Sequence, residues 1–269
     1  MKKSMEFGTE IRKPAFSGSF YPSNKDELIS LLKKYFSDKK RVNFEEKIKA
    51  IIVPHAGYIY SGQTAACGYK QLPVNLQNPH FVLVGPSHHF TFTGLTASNC
   101  NLWQTPLGKI KQIAPDNKEG AGLVSINDEI HAYEHSLEVQ LPFLQYLYQD
   151  FSISCLLTGN EIDFEKTANY LLRCYSSSIF IFSSDLSHYL PLEVSEAKDK
   201  KTIDAILNLN DEYFLSEENT ACGMMGILIL ITIAKKEKWK RRLIYNDTSA
   251  KTSGDKNAVV GYAAIGFYK

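Results

Sequence analysis

"FVLVGPSHHFTF", residues 81–92, sets four apolar residues ahead of a Gly-Pro break and then two adjacent histidines. The apolar run reads as a strand buried in a core, and Gly85 and Pro86 end it. Four more runs share that character: "IKAIIVP" (48–54), "FSISCLLTG" (151–159), "SIFIFSSD" (178–185) and "AVVGYAAIGFY" (258–268). Between and around them the pattern predicts helices near 63–71, 135–149, 163–175, 193–209 and 221–236. Strand and helix in alternation imply an α/β fold with a mainly parallel sheet covered by helices on both faces. Segment 90–115 holds no long helical pattern and reads as strand or loop, which makes the sheet mixed. "NKDELISLLKKYF" (24–36) predicts an early helix, with Leu28, Leu31 and Leu32 three and four apart and Ser23 or Asn24 as its cap. No internal repeat, low-complexity tract or Pro/Ser-rich linker interrupts the chain. Residues 1–269 are therefore expected to form one domain.

Composition excludes several function classes. Thirty basic residues face twenty-nine acidic ones, for a net charge of +1. No broad basic field is available for nucleic acid, and no acidic tail is present. The local patch "KKEKWKRR" (235–242) reads as a solvated helix end running into a loop. Five cysteines, Cys67, Cys100, Cys155, Cys174 and Cys222, show no short repeated spacing. "MKKSMEFGTEIRKPAF" carries charge without an apolar stretch behind it, so no signal peptide is expected. Both points favour a reducing cytoplasm over a disulfide framework. The longest apolar run, "MMGILILITIA" (224–234), is shorter than the ~18–20 residues a membrane span needs and reads as a core helix.

Three strands end in histidine. His55 follows "IIVP", His88 and His89 follow "VLVGPS", and Asp185 and His188 follow "IFIFSS". Parallel strands bring their carboxyl ends to one edge of the sheet, and the crevice there is where open α/β sheets bind ligands. Imidazole is the commonest protein donor to metals. Two histidines need a third ligand, and Asp185 or Glu134 would supply an oxygen. Cys222 is a further candidate, at the turn into the apolar helix with Thr220 as a potential cap. The partial positive charge of a helix N-terminus favours the thiolate that a sulfur ligand or nucleophile requires. The competing reading is a small apolar cysteine packed in the core. In "HAYEHSLEVQLPFLQYL" (131–147), Glu134 and Ser136 suit the start of a helix. His135 and Glu138 point either to the same crevice or to solvent. A group from this patch would also suit the role of orienting a metal-bound histidine.

At this point the residues carry a resemblance. "VPHAGYIYSGQTAACGYKQL", "VLVGPSHH", "EHSLEVQLPFL", "SSDLSHY" and "ACGMMGI" stand in the order found in the MEMO family. Its bacterial and archaeal members are also called AmmeMemoRadiSam system protein B. The chain resembles the family from "FSGSFYPSNKDEL" (16–28) to "GYAAIGF" (261–267). The resemblance implies a three-layer α/β/α sandwich similar to class III (LigB-type) extradiol dioxygenases. Those enzymes hold non-haem iron(II) with two histidines and a glutamate, and the MEMO family resembles a variant with cysteine in the glutamate's place. Carried onto this chain, the resemblance implies His55, His88 and Cys222 as metal ligands. Asp185 and His188 match further pocket residues suited to general acid/base work. Thiolate with imidazole implies iron or copper, with zinc compatible and Mg²⁺ not. The lost carboxylate argues against catechol cleavage.

The family is also described as binding phosphotyrosine-type peptides in the same pocket. Tyr60 matches one residue of that pocket, and Phe20 stands where eukaryotic members carry tryptophan. His89, His135 and Glu134 are the remaining candidate lining residues. The family name further implies association with a radical-SAM protein and an AMMECR-type protein. Adjacent residues on an extended chain point opposite ways, so His88 and His89 do not share a metal. The family pattern selects His88. Three functions compete on this basis: a mononuclear metal site with redox or dioxygenase-like chemistry, a binding protein for a phenolic or anionic group, and a metal-free Cys-His hydrolase. In the last, Cys222 would be the nucleophile and His88 or His188 the base.

Overall fold

The computed structural model describes residues 11–37, 46–115 and 120–269, so "MKKSMEFGTE" and its expected lack of a leader lie outside the described residues. In chain order the first half gives β1 (Ile11–Arg12), α1 (Lys25–Ser37), β2 (Ile48–Val53), α2 (Tyr58–Tyr69) and β3 (His80–Pro86). Short strands β4 (Leu95–Ala97), β5 (Leu102–Thr105), β6 (Gly108–Gln112) and β7 (Val124–Ile126) follow, then α3 (Asp128–Ala132) and α4 (Leu141–Leu147). The second half begins with β8 (Ser152–Thr158), α5 (Phe164–Cys174), β9 (Ile179–Ser183), β10 (His188–Leu190), α6 (Leu192–Leu207) and α7 (Asp211–Ser216). It closes with α8 (Met224–Glu237), β11 (Lys240–Thr248), α9 (Ala250–Ser253) and β12 (Val259–Tyr268).

The sheet runs β1-β5-β6-β8-β3-β9-β2-β12-β10, with β11 on β12 and β4 on β8 and β7. Its centre, β8-β3-β9-β2, is parallel throughout. β12 joins β2 antiparallel and β4 joins β8 antiparallel, so the sheet is mixed, as segment 90–115 implied. The central strands are apolar at nearly every position because both faces are covered. Alternate residues divide cleanly. Ile51, Val53, Phe81, Leu83, Ile179 and Ile181 pack under α1, α2 and α4. Ala50, Ile52, Val82, Val84, Phe180 and Phe182 pack under α5, α6 and α8. The result is three layers.

Helix boundaries differ from the sequence pattern where polar contacts outbid periodicity. Asn24, not Ser23, caps α1, its Oδ1 accepting from the N–H groups of Asp26 and Glu27 at 2.9 and 3.1 Å. The helix expected over 135–149 is a 3₁₀ turn, Glu138–Gln140, leading into α4. Residues 134–137 are free of the helix and lie across the end of β3. Gly85 permits that crossing: a Cβ there would come within 2.7 Å of Ser136 Oγ. "KKEKWKRR" also departs from expectation. Lys238, with φ +55°, ends α8 in the left-handed region, and Lys240, Arg241 and Arg242 open strand β11 rather than a loop. No helix among the described residues is long and apolar enough to cross a membrane.

A buried charge pair ties the N-terminal segment to this frame. The Arg12 guanidinium meets the Glu138 carboxylate, donates to the carbonyls of His131 and Glu134 at 3.0 and 2.9 Å, and lies 4.4 Å over the Trp103 ring. Glu138 is fully buried and also accepts from the N–H groups of Ala15 and Phe16 and from the Tyr21 hydroxyl. Removing one member leaves the other charge buried and unpaired. Arg12→Met is therefore expected to cost about 3–5 kcal/mol, read as a lower urea midpoint with an unchanged m-value. A loss below about 1 kcal/mol would place the pair in water instead.

His131 gives the pH dependence. Its Nε2–H donates to the Thr96 carbonyl at 3.1 Å, and burial pulls its pKa from 6.5 to about 4. Between those two values the unfolded chain holds a proton that the fold refuses, so stability falls as pH falls. In chelator-treated protein, His131→Gln keeps the N–H donor and removes the titration. It is expected to flatten the decline by about 1.4 kcal/mol per pH unit in denaturant titrations across that window. Equal slopes in wild type and variant would contradict it.

Candidate metal centre

The carboxyl ends of β2, β3 and β9 deliver the site. His55 lies two residues past β2, and its backbone N–H donates to Asp185 Oδ1 at 2.8 Å. Its Nδ1 is 2.9 Å from Ser183 Oγ and its Nε2 is 3.2 Å from Cys222 Sγ. His88 lies two residues past β3. The Glu134 carboxylate holds it twice, through the backbone N–H at 2.6 Å and through Nδ1 at 2.9 Å. The His135 ring stacks on His88 with centroids 4.6 Å apart, and Phe20 covers its neighbourhood with a ring centroid at 4.5 Å. His55 meets both of the other imidazoles nearly edge-on, at 5.1 and 5.4 Å.

One donor atom each from His55, His88 and His135 lies within 4.8 Å of the others. These three could hold a metal ion. His135 thus joins the pair that the strand ends predicted, and its neighbour Glu134 serves as the residue that fixes His88. Glu134 is spent on three hydrogen bonds, to His88 twice and to the Ser136 N–H at 2.8 Å. Ser136 Oγ donates to the Pro86 carbonyl at 2.8 Å, so neither residue caps an α-helix.

Charge in the site follows burial. Burial, then the charge of His88, pulls His55 down to about 3, and burial, then the charge of His55, does the same to His135. Both imidazoles are neutral at physiological pH. Burial also opposes the charged form of His88, but the Glu134 hydrogen bond and charge outweigh it and leave the pKa raised. Glu134 is pushed up by burial and brought down to about 2 by His88 and His135. Burial lifts the Asp185 carboxyl above its ordinary range against the backbone N–H groups of His55 and Ala56.

Cys222 departs from the expectation for a helix terminus. The helix starts at Met224, Gly223 occupies the cap position, and no side chain caps it, so Thr220 has no such role. Cys222 Sγ instead accepts the Asp185 N–H at 3.2 Å. Burial, then the charge of Asp185, pushes the thiol pKa far up rather than down. A Cys-His nucleophile needs a thiolate beside an imidazolium. Burial disfavours the thiolate of Cys222 and the imidazolium of His55, the histidine beside it.

The remaining candidates lie outside the three-histidine cluster. His188 sits at the start of β10, where its N–H donates to Asn219 Oδ1 at 3.0 Å, and its charge reaches His55 and Asp185. Tyr60 stands exposed in the first turn of α2, and Phe20 is half-buried in the segment before α1. His89 is exposed and outside the three-histidine cluster. Sequence reasoning missed Ser183 and Gln140, which are buried behind His55; Gln140 Nε2 donates to Ser183 Oγ at 2.8 Å. The one available signal for Gln140 was a polar residue inside the apolar stripe before α4.

A family profile described as Memo-like protein matches residues 12–266. The chain belongs to the Memo-like family. It is 38% identical over 270 residues to a MEMO1 family protein of Methanosarcina barkeri, covering 95% of this chain and 99% of that one. A MEMO1 family protein of Archaeoglobus fulgidus is 36% identical over 269 residues, covering 96% and 99%. One of Thermoplasma volcanium is 35% identical over 265 residues, covering 95% and 97%. The likeness therefore spans all the strand ends that carry the site.

The raised thiol pKa sets a test for this Memo-like protein. In chelator-treated protein at neutral pH, Cys222 is expected to react with iodoacetamide at least tenfold more slowly than free cysteine, as followed by peptide mass spectrometry. Alkylation faster than free cysteine would revive the hydrolase reading.

Proposed function

We propose that this Memo-like protein holds one transition-metal ion at the carboxyl ends of β2 and β3. The observation that carries the reading is the convergence of His55, His88 and His135 within 4.8 Å, with Cys222 Sγ 3.2 Å from His55 Nε2. The donors fit such an ion. Neutral imidazole and a sulfur atom suit first-row metals of borderline or soft character. His55, His88 and Cys222 are the ligands we assign, with His135 in reach as a fourth donor. Iron or copper would supply a redox-active centre there, and zinc a Lewis acid. The resemblance to extradiol dioxygenases drawn from the sequence motifs supports an oxidative reaction as our reading, with catechol cleavage disfavoured because cysteine stands where those enzymes carry a carboxylate.

The protein's own residues complete the setting. Glu134 holds His88 by ring and backbone together, and Asp185 holds the His55 backbone. His188, close enough to Asp185 for its charge to act there, is our assignment for moving a proton at the mouth of the site. Aromatic rings supply a second reading. Phe16 and Phe20 pack edge-on to one another beside His135, a wall suited to a flat phenolic ligand held without turnover.

Protein purified anaerobically without chelators is expected to contain about one equivalent of iron or copper by mass spectrometry of the metal. His55→Ala, His88→Ala and Cys222→Ala are each expected to lose it while keeping the wild-type circular dichroism. A metal-free wild type that takes up neither Fe²⁺, Cu⁺ nor Zn²⁺ but retains an aromatic ligand would favour the binding reading.

A further inference from the structure

The hydrogen bonds behind His55 determine which of its ring nitrogens carries the proton. The chain of donors starts at Tyr69, whose buried hydroxyl is 2.9 Å from Gln140 Oε1. Gln140 Nε2 lies 2.9 Å from the Pro54 carbonyl, which only accepts, so the amide cannot be turned the other way. The second Nε2 proton of Gln140 then goes to Ser183 Oγ at 2.8 Å. Ser183 has a single proton, and it goes to the Ser136 carbonyl at 2.6 Å. Nothing is left for Ser183 to donate to His55. The contact at 2.9 Å between Ser183 Oγ and His55 Nδ1 requires the proton to sit on Nδ1. Ser183 Oγ ends with one donated and two accepted hydrogen bonds, which fills its capacity.

We propose that Ser183, oriented by Gln140, is a positioning residue that locks His55 as the Nδ1–H tautomer and leaves the Nε2 lone pair facing Cys222 and the ion. Glu134 does the same for His88 with a carboxylate, since it accepts from Nδ1 at 2.9 Å. The two ligand histidines are thus preset by different devices, a neutral hydroxyl–amide relay and an anion. The relay suits His55, which is almost wholly buried, because it adds no charge to that side of the site. The purpose of the lock rests on the metal reading, whereas the tautomer itself does not.

The experiment therefore reads the tautomer in metal-free protein. Two-bond ¹H–¹⁵N spectra of ¹⁵N-histidine-labelled protein, with His55 assigned by loss of its signals in His55→Gln, distinguish a protonated from an unprotonated ring nitrogen. Wild type is expected to show Nδ1 protonated and Nε2 unprotonated. Ser183→Ala is expected to shift His55 to the Nε2–H form or to an average of both, and to weaken Zn²⁺ binding by about 10–100-fold. Ser183→Thr keeps the hydroxyl and is expected to restore both. The His88 signals serve as an internal control for folding and stay unchanged in each variant. An Nε2–H or averaged His55 in wild type overturns the proposal, as does a Ser183→Ala protein with the wild-type tautomer and Zn²⁺ affinity. A locked wild-type tautomer with no Zn²⁺ uptake upholds the lock and overturns the metal centre.

Discussion

A carboxylate that never meets water, Glu138, joins the N-terminal segment to the loop that carries Glu134 and His135. It accepts from two backbone N–H groups, a tyrosine hydroxyl and a guanidinium, so its charge is fully matched inside the fold. Burying an ion is tolerable only with such matching. The geometric consequence outweighs the energetic one. Arg12 reaches from Glu138 to the Glu134 carbonyl, and the chain held by Glu138 runs on to Phe20 over His135. The loop that completes the three-histidine cluster is therefore fixed by the N-terminal segment as well as by the sheet.

From the sheet side the constraint is the pleat. A strand covered on both faces has few polar positions along its length, so chemistry gathers at its last residue and in the residues just past its end. His55, His88 and Asp185 all sit two residues beyond a strand. Small residues let the loops close over these ends. A Cβ at Gly223 would come within 2.7 Å of the Ser183 carbonyl, as one at Gly85 would of Ser136 Oγ. Glycine at these two positions lets Cys222 come within 3.2 Å of His55 Nε2 and lets the 134–137 loop lie against the end of β3.

This explains what the sequence made legible. Four parallel strands, the mixed sheet and two histidines were readable because an apolar run followed by a breaker and a histidine is a local pattern. His135 and Glu134 were not resolved, because the leucines at 137, 141 and 144 extend a helical period back through them. The hydrogen bonds of Glu134 to His88 and of Ser136 to Pro86 at the end of β3 override that period. The sequence left Cys222 open between a thiolate at a helix terminus and a buried thiol, and burial favours the thiol. A helix terminus contributes about 0.3–1 kcal/mol, and removing a thiolate from water costs more than that. Ser183 and Gln140 left almost no trace, since a serine at a strand end has many ordinary uses.

The resting site is uneven in its protonation, and that unevenness bears on which ion it suits. Two imidazoles stand neutral, His88 leans on an anion, and the thiol keeps its proton. A cation placed against Sγ reverses the sign of the field there, and a coordinating thiol gives up its proton outright. The thiolate then adds one negative charge to the one already on Glu134. Two negative charges, on Glu134 and on the thiolate, would balance a divalent ion among neutral imidazoles and leave a trivalent one uncompensated. Burial lifts the Asp185 carboxyl above its ordinary range, so the group that anchors the His55 backbone adds less negative charge to that balance than an exposed carboxylate would.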